Sequence, residues 1–301
     1  MSQEKQPREY DLVLGGNNPP PVDGLVLGGI EGVKRRLASD KEEVVIAAIK
    51  DAINYGKEGE NLLFEIIETR SGNVLWETFN LLWNTFISAR QKELLKYLPY
   101  LLKDSVYRWE KWRSENPNLQ IDFQGVDFSQ ADFTGIELEG LNFSEANLEE
   151  ANFEEAKLKN INFSKANLKN ANFSNAKLQN IDFSEANLYE VKFNGSDLYK
   201  IDFRDKNLTG GDFSGADFWN VNLDNANLTD TNFSDANLKV INLKNANLTN
   251  ADLSVANLAH AKLEGAILDG ANLEGAAIRG TVLCDYDPYH EGDSYYEGSW
   301  E

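Results

Sequence analysis

The sequence predicts an α+β chain in two parts: an N-terminal α-helical repeat domain, then a four-sided solenoid of eight coils. Three observations carry this. Every fifth residue from Phe123 to Leu283 is Phe, Leu or Ile, with no insertion in the phase. The residue two places earlier is usually small, most often Ala, but turns bulky every 20 residues, at Ile121, Leu141, Ile161, Ile181, Ile201, Val221 and Ile241. Between residues 30 and 113 the apolar residues recur at helical spacing instead.

A period of five suits neither an α-helix nor a flat strand, whose side chains repeat at about 3.6 and 2 residues. Short fixed repeats mean a solenoid. Each unit turns the chain through a corner while sending its Phe or Leu inward. The 20-residue recurrence makes four units one coil, so residues 121–280 hold eight coils. Stacked at about 4.8 Å, they form a rod of roughly 40 Å.

Units such as Ala146-Asn147-Leu148-Glu149-Glu150 read A-(N/D)-(L/F)-x-x. On this pattern, 121–283 resembles the pentapeptide-repeat proteins. The resemblance implies a right-handed quadrilateral β-helix in which the central Phe/Leu and the preceding small residue face inward. From Phe133 to Phe213 Phe alternates with Leu, which places Phe ladders on two opposite sides. No Phe occupies the inward row from Leu243 onward, which predicts slimmer or less tightly filled C-terminal coils. Lys206 stands in a small inward slot between Ala186 and Ala226, one coil away on either side. A buried ammonium is unfavourable, so a local bulge or a snorkelling side chain is expected there.

Residues 1–29 are a Gly/Pro-rich lead, with Leu14-Gly15-Gly16 and Leu27-Gly28-Gly29 bracketing Pro19-Pro20-Pro21. It matches no phosphate-binding glycine motif and suits an extended segment laid over the helices that follow. In 30–113, Ile30, Val33 and Leu37 share a face. Ser39 and Glu42 have the spacing of a capping box before Val45, Ala48, Ile49 and Ala52, with a stop near Gly56. A second helix through Leu62, Leu63, Ile66 and Ile67 ends near Gly72, and a third carries Leu75, Trp76, Phe79, Leu82, Trp83 and Phe86. A fourth begins near Gln91 and must kink or stop at Pro99. Short joints between one-sided helices suggest two HEAT-like hairpins. The stretch from Val26 to Ser39 is similar to a leader that precedes helical-repeat segments in cyanobacterial repeat proteins, a likeness that implies no activity.

Arg108, Trp109, Lys111, Trp112 and Arg113 make a basic, aromatic segment. A solenoid's first coil needs a cover, and residues 121–155 carry ten acids and no base, so these five residues are expected at the domain junction. Residues 284–301 form an acidic tail with Tyr286, Tyr289, Tyr295, Tyr296 and Trp300, expected to fold partly back over the last coil.

The net charge of −20 excludes nonspecific nucleic-acid binding and anionic membrane surfaces. Met1–Tyr10 has no apolar signal region, and no apolar run approaches the roughly 20 residues of a membrane span. The expectation is a cytoplasmic protein with no membrane partner. One Cys excludes an intramolecular disulfide, and Cys284 with two His offers no zinc set. A Cys284–His290 nucleophile pair has no third group to orient it. The Asn/Asp row beside the core residue is expected to bond the backbone at corners. No catalytic residue, metal or cofactor is therefore expected, and the chain is not read as an enzyme.

What remains is a scaffold presenting a stiff β-helix and a helical module to a protein partner of unknown identity. The outward row offers Tyr199 and Trp219, 20 residues apart and so one coil apart on the same side. Val240 extends them, with Lys200 and Lys239 at the margin. Tyr189 lies on the opposite side. The family resemblance implies an alternative, because some pentapeptide-repeat proteins mimic duplex DNA and bind DNA gyrase through an acidic rod. Here the charge is uneven: −10 over 121–155, +3 over 156–200 and −5 over 201–283. Duplex DNA is uniformly negative, so the scaffold reading is preferred.

Overall fold

A computed structural model of the chain describes residues 29–85, 94–119 and 121–283. The expectations for the lead before Gly29, for Phe86 and Gln91, and for the tail with Cys284 and His290 lie outside the described residues. The chain divides into two units, Met1–Arg113 and Ser114–Glu301.

The first unit is helical. Its elements are α1 (Gly29–Leu37), α2 (Glu42–Ala52), α3 (Gly56–Thr69), α4 (Gly72–Thr85), α5 (Leu98–Asp104) and α6 (Val106–Glu115), with 3₁₀ turns at Ile53–Tyr55 and Leu95–Tyr97. Helix α2 packs on α1, α3 and α4 and buries Val45, Ala48, Ile49 and Ala52. The expected capping box does not form. The N-cap of α2 is Lys41, without a side-chain cap, and the Ser39 hydroxyl accepts from the Lys41 N–H at 3.1 Å. That local turn satisfies Ser39 two residues early, while Glu42 and Glu43 complement the positive end of the helix. Pro99 falls in the first turn of α5, where its missing N–H leaves nothing unpaired. The Asp104 carboxylate accepts from the Gly72 N–H at 2.6 Å and so tethers the start of α4. Trp112 stands edge-on to Phe79 at 5.6 Å and to Trp83 at 5.3 Å, closing an aromatic cluster within this unit.

The second unit is a parallel β-solenoid. Its recurring event is a corner, at which every fifth residue from Gly125 to Gly280 has positive φ. At most corners the chain closes a β-turn, as where the Val126 N–H donates to the Phe123 carbonyl at 3.1 Å. Positive φ at the third turn residue is the type II signature. One side differs. It carries the strands β1 (Glu137–Glu139), β2 (Lys157–Lys159), β3 (Lys177–Gln179), β4 (Asp197–Tyr199) and β5 (Asp217–Trp219), paired in that order at a 20-residue offset. The corner after each strand is a bend, and the next residue is Leu141, Ile161, Ile181, Ile201 or Val221. A bulky side chain in the small slot needs more room than Ala, and the wider corner leaves three residues extended. Bulk alone is not sufficient: at Ile241 the turn bond to Leu238 re-forms at 3.2 Å. The strand ladder thus steps through four turns, fewer than the eight coils expected. On the other sides, and on this one beyond β5, pairing is reduced to isolated bridges at the same offset, from Asp122↔Asn142 to Asn257↔Ala277.

The interior follows the inward rows. Phe153 stacks on Phe173 at 4.9 Å, Phe163 on Phe183 at 5.7 Å, Phe173 on Phe193 at 5.0 Å and Phe183 on Phe203 at 5.6 Å. Beyond the Phe ladders, Leu243, Leu248, Leu253 and Leu258 remain sealed from solvent. Only near the end do Leu268, Leu273 and Ile278 become half-buried. Lys206 raises no bulge: its N–H donates to the Phe203 carbonyl and its carbonyl accepts from the Asn227 N–H at 2.8 Å, in phase with its neighbours. It is half-buried, as a snorkelling chain would be.

The Asn/Asp row does two jobs. Most of its oxygens cap the backbone two residues on, as Asp122 accepts from the Gln124 N–H at 3.0 Å. Many Asn amides also reach the preceding coil: Asn142 Nδ2 donates to Asp122 at 2.8 Å, Asn172 to Asn152 at 2.9 Å and Asn242 to Asn222 at 2.9 Å. Ionised Asp only accepts, so it can start such a ladder but cannot continue it.

Three outcomes follow from this architecture. Phe163→Ala should destabilise the solenoid by about 3–5 kcal/mol in chemical denaturation, as truncation of a fully buried Phe does. Gly59 is buried, and a Cβ there would lie 1.8 Å from the Ala52 carbonyl oxygen. Gly59→Ala should therefore destabilise the helical unit by about 1–3 kcal/mol, read from the helical circular dichroism signal against urea. Hydrogen bonds from Thr134, then from Asn152, hold the Asp132 carboxyl below its ordinary value, and Ser254 and Asn272 do the same for Asp252. Depressed folded values give a contribution fully present above the unfolded value of about 3.9 and lost as pH falls through the lower folded value. Acid titration of the melting temperature should show this loss, and Asp132→Asn/Asp252→Asn should reduce it.

Candidate functional site

The strand-bearing side of the solenoid holds the outward residues singled out by spacing. On each strand the middle residue points inward and is buried, which turns its two neighbours outward. Tyr199 pairs in register with Trp219 and Asp197 with Asp217. Tyr199 is half-buried, whereas Trp219 is 40% exposed. The Lys200 ammonium lies over the Tyr199 ring, 5.1 Å from its centre, a cation–π contact. Val240 sits at a corner with φ of 63° and is 60% exposed. Lys239 is exposed beside it. The structure thus brings Tyr199, Trp219 and Lys200 onto one side, with Lys239 and Val240 in the following coil. Tyr189 is 37% exposed on another side, where Glu190 raises its hydroxyl pKa.

Two residues of this side were missed by reasoning from apolar spacing. Asp197 and Asp217 stack directly on one another beside the aromatic pair. Their 20-residue separation was the signal. Lys177 approaches Asp197 at 3.7 Å, and Asn237 Nδ2 donates to Asp217 at 3.0 Å. Toward the N-terminal end of the same side the charges alternate and pair: Lys157 meets Glu137 at 2.5 Å and Lys159 meets Glu139 at 2.9 Å.

Of the five residues assigned to the domain junction, Trp109 and Trp112 are buried, Arg108 and Arg113 half-buried and Lys111 exposed. Burial lowers the Arg113 guanidinium pKa from its ordinary value. The two Trp rings lie 5.8 Å apart. In the helical unit a shallow groove is lined by Ile46, Ile49, Lys50, Glu77, Asn80, Leu81 and Asn84; it holds one acid and one base and no nucleophile pair. Among the described residues no group of three or more His, Cys, Asp or Glu is placed to hold a metal ion. Among them too, no helix is long and apolar enough to cross a membrane.

Comparison with known proteins bears on the solenoid. No curated protein matches the chain. Among solved structures it is similar to HetL, a pentapeptide repeat protein involved in heterocyst differentiation regulation from the cyanobacterium Nostoc sp. strain PCC 7120, at 30% identity over 52% of this chain and 76% of that one, with a TM-score of 0.24. It is similar to QnrB1, a plasmid-mediated fluoroquinolone resistance protein, at 20% identity over 56% and 84%, with a TM-score of 0.25. A pentapeptide repeat protein from the Arabidopsis thaliana thylakoid lumen is 29% identical over 36% and 69%, with a TM-score of 0.17. The family description "Pentapeptide repeat region" matches residues 126–203, and "Pentapeptide repeats (8 copies)" matches 207–239 and 241–283. These matches cover just over half of the residues and coincide with the five-residue corners and the 20-residue register, and the chain belongs to the pentapeptide-repeat family.

Proposed function

We propose that the protein is a non-catalytic interaction scaffold, whose solenoid binds a protein partner through the strand-bearing side centred on Tyr199 and Trp219. The observation that supports this most is the exposed Trp219 in register with Tyr199. Tyr and Trp are enriched at binding hot spots. The inward rows already fill the core, so Trp219 is not part of it. Val240 and Lys239 continue the surface, and Lys200 braces the Tyr199 ring.

The duplex-mimic alternative, with DNA gyrase as partner, is less well supported. A surrogate for DNA needs acids left uncompensated along its length. Here Lys157, Lys159 and Lys169 reach back one coil to Glu137, Glu139 and Glu149.

Affinity capture with the full chain tests the scaffold reading. Tyr199→Ser/Trp219→Ser should leave the circular dichroism spectrum unchanged and weaken capture of the partner by more than about tenfold, as loss of a hot spot does. Undiminished capture by the folded variant would overturn it.

A further inference from the structure

We propose that the last coil of the solenoid is a docking surface for residues 284–301 of the same chain. Their aromatic rings lie against Leu268, Leu273 and Ile278, and their carboxylates accept from the N–H groups along the outer edge of that coil. The proposal is independent of the surface at Tyr199 and Trp219.

The outer edge of the last coil is unpaired. In earlier coils the inward residue and the corner residue donate to the coil that follows, as Phe123 does to the Asn142 carbonyl at 2.8 Å and Gly125 to the Ser144 carbonyl at 2.9 Å. The corresponding N–H groups of Leu268, Gly270, Leu273, Gly275, Ile278 and Gly280 have no acceptor among the described residues. Each unit also offers the next coil one carbonyl, as Val126 accepts from the Asn147 N–H at 3.0 Å. At this end those carbonyls belong to Ala266, Ala271 and Ala276, so the edge presents two donors for each acceptor. The interior is open here as well. Leu248, Leu253 and Leu258 one coil earlier are sealed, whereas Leu268, Leu273 and Ile278 are half-buried and Val282 is 64% exposed. All four corners of this coil are Gly, at 265, 270, 275 and 280, while the two coils before it have no Gly at a corner. Without a Cβ the edge is open to close approach. An apolar end with unpaired backbone recruits other chains unless it is covered.

Residues 284–301 carry what this end lacks. They hold six acids and no Lys or Arg, and an ionised carboxylate only accepts. Tyr286, Tyr289, Tyr295, Tyr296 and Trp300 supply large apolar area to cover the exposed Leu and Ile side chains. Pro288 and Asp293 stand where the five-residue period would place inward residues, so the segment does not continue the stack as another coil. Its 18 residues, at about 3.3 Å each, are nearly a coil's length of chain and ample to cross the end. The segment starts beside the edge, directly after Leu283, which sets its effective concentration there on the order of millimolar. A second copy of the chain fits less well. In a symmetric end-to-end pair each edge meets its own kind, so both bring two donors per acceptor and N–H groups stay unpaired, and the acids of two segments crowd together. Docked, the segment closes the end and leaves the sides of the solenoid as the surfaces for partners.

Hydrogen–deuterium exchange on the full-length chain tests this. Two full-length variants serve as references: Tyr286→Ser/Tyr289→Ser/Tyr295→Ser/Tyr296→Ser/Trp300→Ser, and Asp285→Asn/Asp287→Asn/Glu291→Gln/Asp293→Asn. In the unaltered chain the Leu268, Leu273 and Ile278 amides should exchange at least about tenfold more slowly than in either variant, since covering the edge closes it to exchange. The Leu248 amide, which donates to the Ile267 carbonyl at 2.8 Å, should be equally protected in all three chains and so report an intact solenoid. Protection of the edge should not change on dilution, because segment and edge belong to one chain. Edge amides that exchange freely in the unaltered chain, or that keep their protection in either variant, would overturn the proposal. So would protection lost on dilution, which assigns the edge to a second copy.

Discussion

The left-handed residue at every fifth position is the constraint on which the solenoid depends. From Gly125 to Gly280 each corner reverses the sign of φ once, and that single reversal turns the chain through one side of the coil. L-residues resist this conformation by about 1–2 kcal/mol each, so the corners must be held by something stronger. The inward Phe and Leu side chains supply it. Each contributes roughly 1.5–3 kcal/mol on burial, and those from Phe123 to Leu258 are sealed or nearly so. Each five-residue unit thus holds one corner and one buried anchor.

With corners and anchors assigned, the remaining positions are spent on joining coils. The Asn/Asp row caps the local backbone and, where Asn donates, links one coil to the one before. Lysines repeat the pattern on the surface, reaching acids 20 residues away. Exposed ion pairs of this kind are worth little singly. Their consequence here is neutralisation: the acid-rich first coils are compensated by the lysine-rich coils that follow. Lys177 extends the pattern to Asp197, next to the Tyr199–Trp219 pair.

Much of this was legible in the amino-acid order because the repeat is local. The inward row, both Phe ladders and the register of Tyr199 with Trp219 follow from counting in fives and twenties. What was not legible depended on competition between alternatives of similar energy. Ser39 matched a capping box by spacing, yet its hydroxyl found the nearer Lys41 N–H. Lys206 kept its corner without a bulge because the turn and inter-coil bonds around it are the same as for Ala. That one side is ribbon-like and the others reduced to single bridges depends on how far a bulky corner residue opens the bend. The aspartate pair was countable from the start but invisible to a search for apolar residues. The placement of Arg108, Lys111 and Arg113 depends on tertiary packing, which helical periodicity alone does not encode.

The 20-residue register also governs how such a chain can change in evolution. Deleting or inserting one residue in the solenoid would bring polar residues into the interior for every unit downstream. Gain or loss of one whole unit keeps the interior apolar, though it sets Phe against Leu where the ladders alternate, and it carries all later outward residues a quarter-turn around the axis, so Val240 would leave the side that bears Trp219. Only whole coils can be added between them with the side preserved, and even then the gap between the two residues lengthens. Surface and interior are therefore inherited under different arithmetic: the core tolerates steps of five, the surface only steps of twenty.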